Sequence, residues 1–579
     1  MPPFTLLRPV VPFVVALAVA LALFALRALW RWRSVPSGAW LLLDLHGPIT
    51  EVPRRVPRWQ RWIGRDAPLS LSEIRRVLRV AASDPSLSGV LVRIREVELG
   101  WATAESLRDA IASVRAANKR TVAFLPFGAA NKELIVASAC QEVFATPPAT
   151  IGPLGVALGS NFFRAALAKI GVTVEVLSRK EFKSAAESLV RDSMSEPNRA
   201  QTTAIVEALH DAVVRALVAG RKLDEQAART FIDKTPMRAR LAQAMGVLDG
   251  ALYEDELLAR LRDPSSALPF AALVPFERYA SLRAKAPRFL ARSKRVAIVE
   301  VRGPIAVEAG RASDDRVADV ARITGALRAC AASNNVGAVV LLIDSPGGSA
   351  LASDLIAREV ERLREIKPVV AYFGDVAASG GYYIGAHAHR IVAQPTTITG
   401  SIGVVAMRVV VEQAADKLGV KHESVERGAR AALFSPYRTW TEDERTALDQ
   451  SIDEVYADFV RVVAKGRGMS EEAVEERARG RVYPAKQALA LGLVDELGDL
   501  SRAVRVAAER AGIDVELAPL RVLRAPKELP PIASADRSPA KAIVARALLA
   551  DAAPWLALAR TIERESVLLV DDRVLGAAL

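Results

Sequence analysis

VFATPPATIGPLGV (Val143–Val156) and IVAQPTTITGSIGV (Ile391–Val404) are one stretch written twice, 248 residues apart. Each opens on three apolar residues, meets a proline at its fifth position and ends in a glycine-bounded turn. That is the pattern of a buried strand running into a loop. Upstream, WLLLDLHGPI (Trp40–Ile49) lies on VAIVEVRGPI (Val296–Ile305), and SGVLVRI (Ser88–Ile94) lies on GAVVLLI (Gly337–Ile343). Between these strands, AESLRDAIASVRAA (Ala104–Ala117) and SDLIAREVERLREI (Ser353–Ile366) place apolar residues on one helical face. Strands alternating with helices predict an α/β fold with a mainly parallel sheet, present in two copies. The predicted domains are residues 36–262 and 295–510. A proline-bearing connector (263–294) joins them, and a tail (511–579) follows, helical from Pro539 to about Arg564 with an apolar stripe through Ile543, Ala547, Leu548 and Trp555.

Composition bounds the answer. A chain of 579 residues, 51% apolar and 25% charged, with 34 Gly and 32 Pro, is neither collagen-like nor wholly disordered. It is longer than one core usually organises, which agrees with two domains. Its two cysteines, Cys140 and Cys330, give no disulfide framework and no metal cluster. The net charge of +12 comes from basic residues spread along the chain, with no dense Lys/Arg tract interleaved with aromatics. No nucleic-acid partner is therefore expected.

The chain opens on VVPFVVALAVALALFAL (Val10–Leu26), seventeen residues without a charge. Extended to Trp30, the stretch spans roughly 30 Å as a helix, one hydrocarbon core. Arg27 can snorkel to the interface, and Trp30 and Trp32 suit an aromatic belt. Residues 1–35 are therefore expected to form an uncleaved transmembrane anchor, with the membrane crossed by residues 10–30. Arg27, Arg31 and Arg33 follow the span, so the positive-inside rule by itself would leave the body in the cytoplasm.

A duplicated domain permits an internal comparison, because positions that differ between copies can carry chemistry. In DVAASGGYYIG (Asp375–Gly385), a strand, a small-residue turn and a helix would hold Ser379 at a helix N-terminus, where free N–H groups can stabilise an anion. At the same offset the first copy has Asn131 and Lys132. Conversely, Lys183 in SRKEFKSAAES aligns with Ala431. Each copy thus carries one half of a Ser/Lys pair, predicting a site made jointly by the two. DSPGGS (Asp344–Ser349) follows the strand VVLLI. Its glycines let a backbone approach a ligand, so the amides of Gly348 and Gly380 are candidate oxyanion donors. Ser401, aligned with Pro153, is a candidate to orient the lysine amine.

Serine needs a base. His387 and His389 follow Ser379 closely, but a helix starting at Ser379 would carry His387 about 12 Å along its axis. They are expected to be exposed helix-end residues, and Arg179 and Lys180 to be solvated. Lysine serves as a base only where desolvation favours its neutral form, a shift of about 3 units from its ordinary pKa. Asp344 is expected to be a structural cap.

Together DSPGGS, AASGGYYI (Ala377–Ile384), TGSIGV (Thr399–Val404) and FKSAAESLVRDSMSE (Phe182–Glu196) resemble the long, duplicated form of the SppA signal peptide peptidase family, within the ClpP/crotonase superfamily. The resemblance covers residues 36–510. It implies tandem ClpP/crotonase-like domains behind an N-terminal transmembrane helix. It implies a serine endopeptidase that degrades cleaved signal peptides and other apolar peptides. Ser379 would be the nucleophile, Lys183 the general base, Gly380 and Gly348 the oxyanion donors and Ser401 the lysine-orienting residue. It further implies that no metal or nucleotide cofactor is used, and a homotetramer at the bacterial inner membrane with a periplasmic catalytic body, the reverse of the anchor's charge bias. Two other readings of the same residues are a crotonase-like acyl-CoA hydratase or isomerase and a non-catalytic membrane scaffold.

Overall fold

The computed structural model describes residues 35–54, 67–264, 268–284, 294–308, 317–514, 521–522 and 568–570. The expected anchor (1–35, spanning at 10–30) lies outside them save for Val35, as do the expected tail helix and its apolar stripe. Among the described residues no helix is long and apolar enough to cross a membrane. The chain forms two compact units that are interleaved in sequence. The first takes the chain up to Glu98, then Leu107–Leu154 and Ala216–Pro287. The second takes Leu99–Ser106, Gly155–Arg215 and the chain from Arg288 onward.

The first unit is built on a seven-stranded sheet. Its strands run in the order Gly250–Ala251, Glu142–Ala145, Arg120–Leu125, Leu87–Glu98, Ala39–Thr50, Leu273–Pro275, with Leu69–Ser70 paired to the end of Ala39–Thr50. The pairings are parallel. The central strands read as near-continuous apolar runs because helices cover both faces of such a sheet. Trp40, Leu91, Val122, Phe124 and Phe144 pack with Leu257 and Leu261 on one face. The proline-bearing connector proves to belong to this unit. Leu273–Pro275 pairs with Trp40–Leu42 as an edge strand, and the helix Phe276–Arg283 buries Phe276 and Tyr279. An edge strand tolerates Pro275, since it needs no ladder donor on its open side.

The second unit holds the elements used below, labelled here in chain order: α1 (Arg164–Ile170), β1 (Thr173–Arg179), β2 (Arg295–Arg302), β3 (Val336–Ser345), β4 (Gly347–Ser349), α2 (Ala350–Ile366), β5 (Val369–Ala378), α3 (Gly380–Gly385), β6 (Ile398–Gly400), β7 (Val404–Val410), α4 (Glu412–Lys417), β8 (Val482–Pro484), β9 (Arg521–Val522) and β10 (Leu568–Val570). The main sheet runs β8-β6-β5-β3-β2-β9. A second, six-stranded sheet runs Ala318–Asp319, Ile305–Ala306, β4, β10, β7, β1. Ser349 caps α2 by accepting from the Ala352 amide, and α2 then buries Ala352, Ile356, Ala357, Val360 and Leu363, a stripe at helical spacing.

The repeat read from sequence returns element by element. Glu142–Ala145 answers to Arg390–Ala393, Thr150–Ile151 to β6, Asn131–Ala137 to α3, and α1 to α4. The compact units do not follow the repeat boundary, however. Residues 155–215, from the first repeat, fold with the second repeat, and β1 pairs antiparallel with the whole of β7. The sequence could not reveal this exchange, because β1 pairs with a strand more than 220 residues further along.

Candidate active site

β5 is buried along nearly its whole length and leads into Ser379, whose φ of 54° and ψ of −118° lie outside the regions favoured by a residue with a Cβ. Such a conformation costs about 1–3 kcal/mol and persists only where its surroundings fix it. Here the Ser379 amide donates to the Gly400 carbonyl at 2.8 Å, and the Ser379 carbonyl accepts from the Tyr383 amide at 2.9 Å. The Tyr382 hydroxyl donates to the Leu493 carbonyl, and that of Tyr383 to Asp354, pinning α3. Ser379 caps α3 with its backbone only, and its hydroxyl makes no capping bond.

That hydroxyl meets an amine. Lys183 Nζ lies 2.9 Å from Ser379 Oγ, 3.0 Å from Ser401 Oγ and 3.2 Å from the Ser401 carbonyl oxygen. Lys183 is 4% exposed, and Ser379 and Ser401 are fully buried. All three belong to the second unit, since Lys183 sits in the exchanged segment. The lysine of one repeat and the serine of the other thus lie side by side within one compact body.

Gly380 and Gly348 adjoin this pair. A Cβ on Gly380 would stand 2.4 Å from Ser353 Oγ, 3.2 Å from Ile305 Cδ1 and 3.3 Å from Gly347 Cα, so the start of α3 presses against β4. A Cβ on Gly348 would stand 2.1 Å from the Ile305 carbonyl oxygen. Neither position accepts a side chain without displacing backbone or a buried hydroxyl. On the other edge of β4, β10 pairs antiparallel, with Leu569 opposite Gly348 and Leu568 opposite Ser349. β10 also pairs with β7, so three residues of the chain's own tail fill a one-strand slot between β4 and β7.

The remaining candidates separate cleanly. His387 lies beyond α3 but is buried rather than exposed, and burial lowers its pKa. The helix Glu442–Arg467 packs at that point: a Cβ on Gly466 would meet the Ala386 carbonyl at 2.2 Å. The His389 ring nitrogen Nδ1 accepts from the Val369 amide. No histidine among the described residues bonds to Ser379. Arg179 is not solvated, because the β1–β7 pairing brings its guanidinium onto Asp449 at 2.9 Å and onto Asp453. Lys180 pairs with Glu475 at 2.9 Å. Asp344 behaves as a structural group, accepting from the Val376 amide and facing Arg302. Asp375 is buried. It accepts from the amide and hydroxyl of Thr103, while burial and then the Asp344 charge hold its carboxyl above the usual range.

Sequence reasoning missed Arg479–Arg481. The Arg479 carbonyl accepts from the Phe182 amide and the Arg481 carbonyl from the Ser401 amide, so one short segment holds both the loop that carries Lys183 and the Ser401 turn. A Cβ on Gly480 would meet the Lys183 amide nitrogen at 2.5 Å. The only signal in the sequence is Gly480 ahead of a strand, which many loops share. Among the described residues no group of His, Cys, Asp and Glu is arranged to hold a metal.

Comparison with known proteins agrees with the repeat. The model of Peptidase family S49 matches residues 114–267 and 361–514, together more than half of the chain. The two matches begin 247 residues apart, in step with the internal repeat; the first contains Lys183 and the second Ser379, Gly380 and Ser401. The chain is 30% identical over 495 residues to the chloroplastic serine protease SPPA of Arabidopsis thaliana, covering 84% of this chain and 71% of that one. It is 28% identical over 490 residues to Protease 4 of Haemophilus influenzae, covering 81% and 78%. It is 40% identical over 164 residues to a putative signal peptide peptidase SppA of Enterococcus faecium, covering 28% and 48%. The chain thus belongs to peptidase family S49 and is a serine-type protease of mixed α/β fold, carrying the family domain twice.

Proposed function

We propose that this protease is a membrane-anchored endopeptidase that cleaves apolar peptides, remnant signal peptides among them, through a Ser379–Lys183 dyad. The observation that carries the reading is the 2.9 Å approach of the Lys183 amine to the Ser379 hydroxyl in a site closed to water. A lysine removed from water surrenders its proton more readily, and a neutral amine can serve as general base. Lys183 takes the hydroxyl proton as Ser379 Oγ forms its bond to the peptide carbonyl carbon. The amides of Gly380 and Gly348 receive the charge that develops on the carbonyl oxygen. The carbon–nitrogen bond then breaks, and the lysinium passes its proton to the leaving amine. Water attacks the ester with Lys183 again as base, which releases the carboxylate and restores the serine. Ser401, through its hydroxyl and carbonyl, fixes the direction of the amine throughout.

An extended peptide as substrate is supported by the slot between β4 and β7, where β10 already lies as an antiparallel strand. A substrate strand laid the same way would pass Gly348. The apolar run at residues 10–30 would hold the enzyme beside membrane-derived peptides, with the catalytic body on the periplasmic side of a bacterial inner membrane and the chains assembled as a homotetramer.

The test uses full-length protein in detergent with an apolar fluorogenic peptide and a fluorophosphonate probe. Hydrolysis and labelling should both vanish in Ser379→Ala, and hydrolysis in Lys183→Ala. Equal activity in all three proteins would remove the dyad. A protease-accessibility assay on sealed inner-membrane vesicles checks the side of the membrane.

A further inference from the structure

One buried amide outside the dyad bonds to the supports of both its members. Gln201 sits in the helix Glu196–Arg221 and is fully buried. Its Nε2 donates to the Phe182 carbonyl at 3.0 Å and to the Ser184 hydroxyl at 3.2 Å, the residues on either side of Lys183. Its Oε1 accepts from the Val482 amide at 3.1 Å. These partners fix which way the side chain faces, because a backbone carbonyl only accepts and a backbone N–H only donates. They require one acceptor and two donors on a single group. Methionine, of nearly the same length, supplies no donor.

Val482 begins β8 and lies opposite Gly400 in β6. The Gly400 carbonyl accepts from the Ser379 amide, and Ser401 follows directly. Gln201 therefore ties the loop that carries the amine to the strands that hold the hydroxyl and Ser401. That loop lies between β1 and the short helix Glu187–Val190, outside any ladder. The repeat supplies a comparison. The helix Glu442–Arg467 has the same length of 26 residues and the same closing Gly-Arg, and its sixth residue, the place of Gln201, is Ala447. The repeat that has Ala431 in place of Lys183 also lacks the amide.

We propose that Gln201 is a positioning residue for Lys183: its side-chain amide clamps the lysine loop to β8, at the spacing from β6 at which the amine meets the Ser379 hydroxyl. A lysine amine rides on a flexible four-carbon stem, so its direction depends on how firmly the backbone beneath it is held. Without the amide the loop parts from β8, water reaches the amine, and the charged form, which cannot act as a base, is favoured. The buried Val482 N–H loses its acceptor as well. Gln201 bonds to neither the amine nor the Ser379 hydroxyl, so its part in the reaction runs through Lys183. The inference rests on the Ser379–Lys183 reading.

The test is steady-state hydrolysis of an apolar fluorogenic peptide by the full-length protein in detergent, as a function of pH. Gln201→Met should lower kcat about tenfold with KM within about twofold, and should move the acid limb of the kcat profile up by at least about half a pH unit. Thr202→Val is the structural control. Its hydroxyl donates to the Asn198 carbonyl of the same helix, so its loss should lower Tm and leave kcat and the acid limb in place. Ser184→Ala removes one of the three bonds and should lower kcat about two- to threefold, with the acid limb moving the same way. A parental kcat and pH profile in Gln201→Met, a change in KM alone, or an equal loss of kcat in Thr202→Val would each overturn the proposal. Should Gln201→Met fail to fold, Ser184→Ala decides, and a parental kcat and profile there overturns it. Failure of the dyad itself reads differently, as parental activity in Lys183→Ala.

Discussion

The two strand-to-helix turns, one per repeat, show what separates a scaffold from a site. In the first repeat the strand Arg120–Leu125 stops short, Phe127 stands in solvent, and the helix Asn131–Ala137 starts from an ordinary extended residue, Ala130, with Glu133 reaching back to the Ala130 amide. In the second, β5 continues to Ala378, the turn is buried, and Ser379 takes a strained backbone. The helix after it begins Gly-Gly where the first repeat has Lys132 and Glu133. The fold requires only that a strand turn into a helix. Strain, burial and the absent Cβ are extra, and they occur where a hydroxyl faces an amine.

The largest effect should come from removing either partner of that contact. Ser379→Ala and Lys183→Ala should each lower kcat/KM by at least about 1000-fold while thermal unfolding stays within a few degrees, since other residues bound the pair. The comparison sharpens with Ala431→Lys, which puts a lysine at the matching place of the second repeat. It should restore nothing to Lys183→Ala. Recovery would mean that the repeats are interchangeable. Next in size is Gly380→Ala, whose Cβ would meet Ser353 Oγ at 2.4 Å and push the first α3 amide out of line. A loss of about 100-fold in kcat is expected, the scale of one oxyanion donor. Adding Ser353→Gly should recover a good part of it. At the equivalent place in the other turn, Lys132→Ala should change kcat by less than twofold.

A smaller effect tests the segment that holds the lysine. Gly480→Ala forces a side chain at a φ of 79° and within 2.5 Å of the Lys183 amide nitrogen. kcat should drop about tenfold with KM little changed, because the amine is displaced while the peptide slot is intact. Gly468→Ala also has positive φ, but a Cβ there finds open space. It should cost only stability, roughly 1 kcal/mol in chemical denaturation.

The sequence already held the strands, the offset between the copies and both residues of the Lys183–Ser379 contact, because each is a local pattern read against a copy at a fixed distance. Ser379 was legible against Asn131, and Lys183 against Ala431. The assignment of residues 155–215 to the second unit was not. Strand pairing depends on which edge is open, and the motif around Lys183 reads the same whichever repeat it packs on. Gly480 was illegible for a similar reason: its role is set by a close approach across nearly 300 residues. His387 was misplaced because the helix Glu442–Arg467, which covers it, comes from far down the chain.

The smallest effect concerns how the two repeats cap their long helices. In the first, the Asn198 amide donates to Ser195 Oγ, and Glu187 holds both the Ser195 hydroxyl and the Asn198 side chain. In the second, Thr441 and Glu444 form a reciprocal cap, and Arg438 pairs with the buried Glu444 carboxylate. The Arg438 hydrogen bond outweighs burial and lowers the Glu444 pKa to about 2, against 4.5 ordinarily. A carboxylate whose folded pKa is depressed stabilises fully above its unfolded value and loses that contribution as pH falls through the folded one. Glu444→Gln should therefore cost about 1 kcal/mol at pH 7, seen as a fall in Tm of about 2–4 °C. The gap to the parent should narrow once pH drops below 4.5. Asn198→Ala in the other repeat removes no charge from its cap, so its deficit should stay flat over the same range. Parallel pH curves for the two variants would show that Glu444 acts through its shape and not its charge.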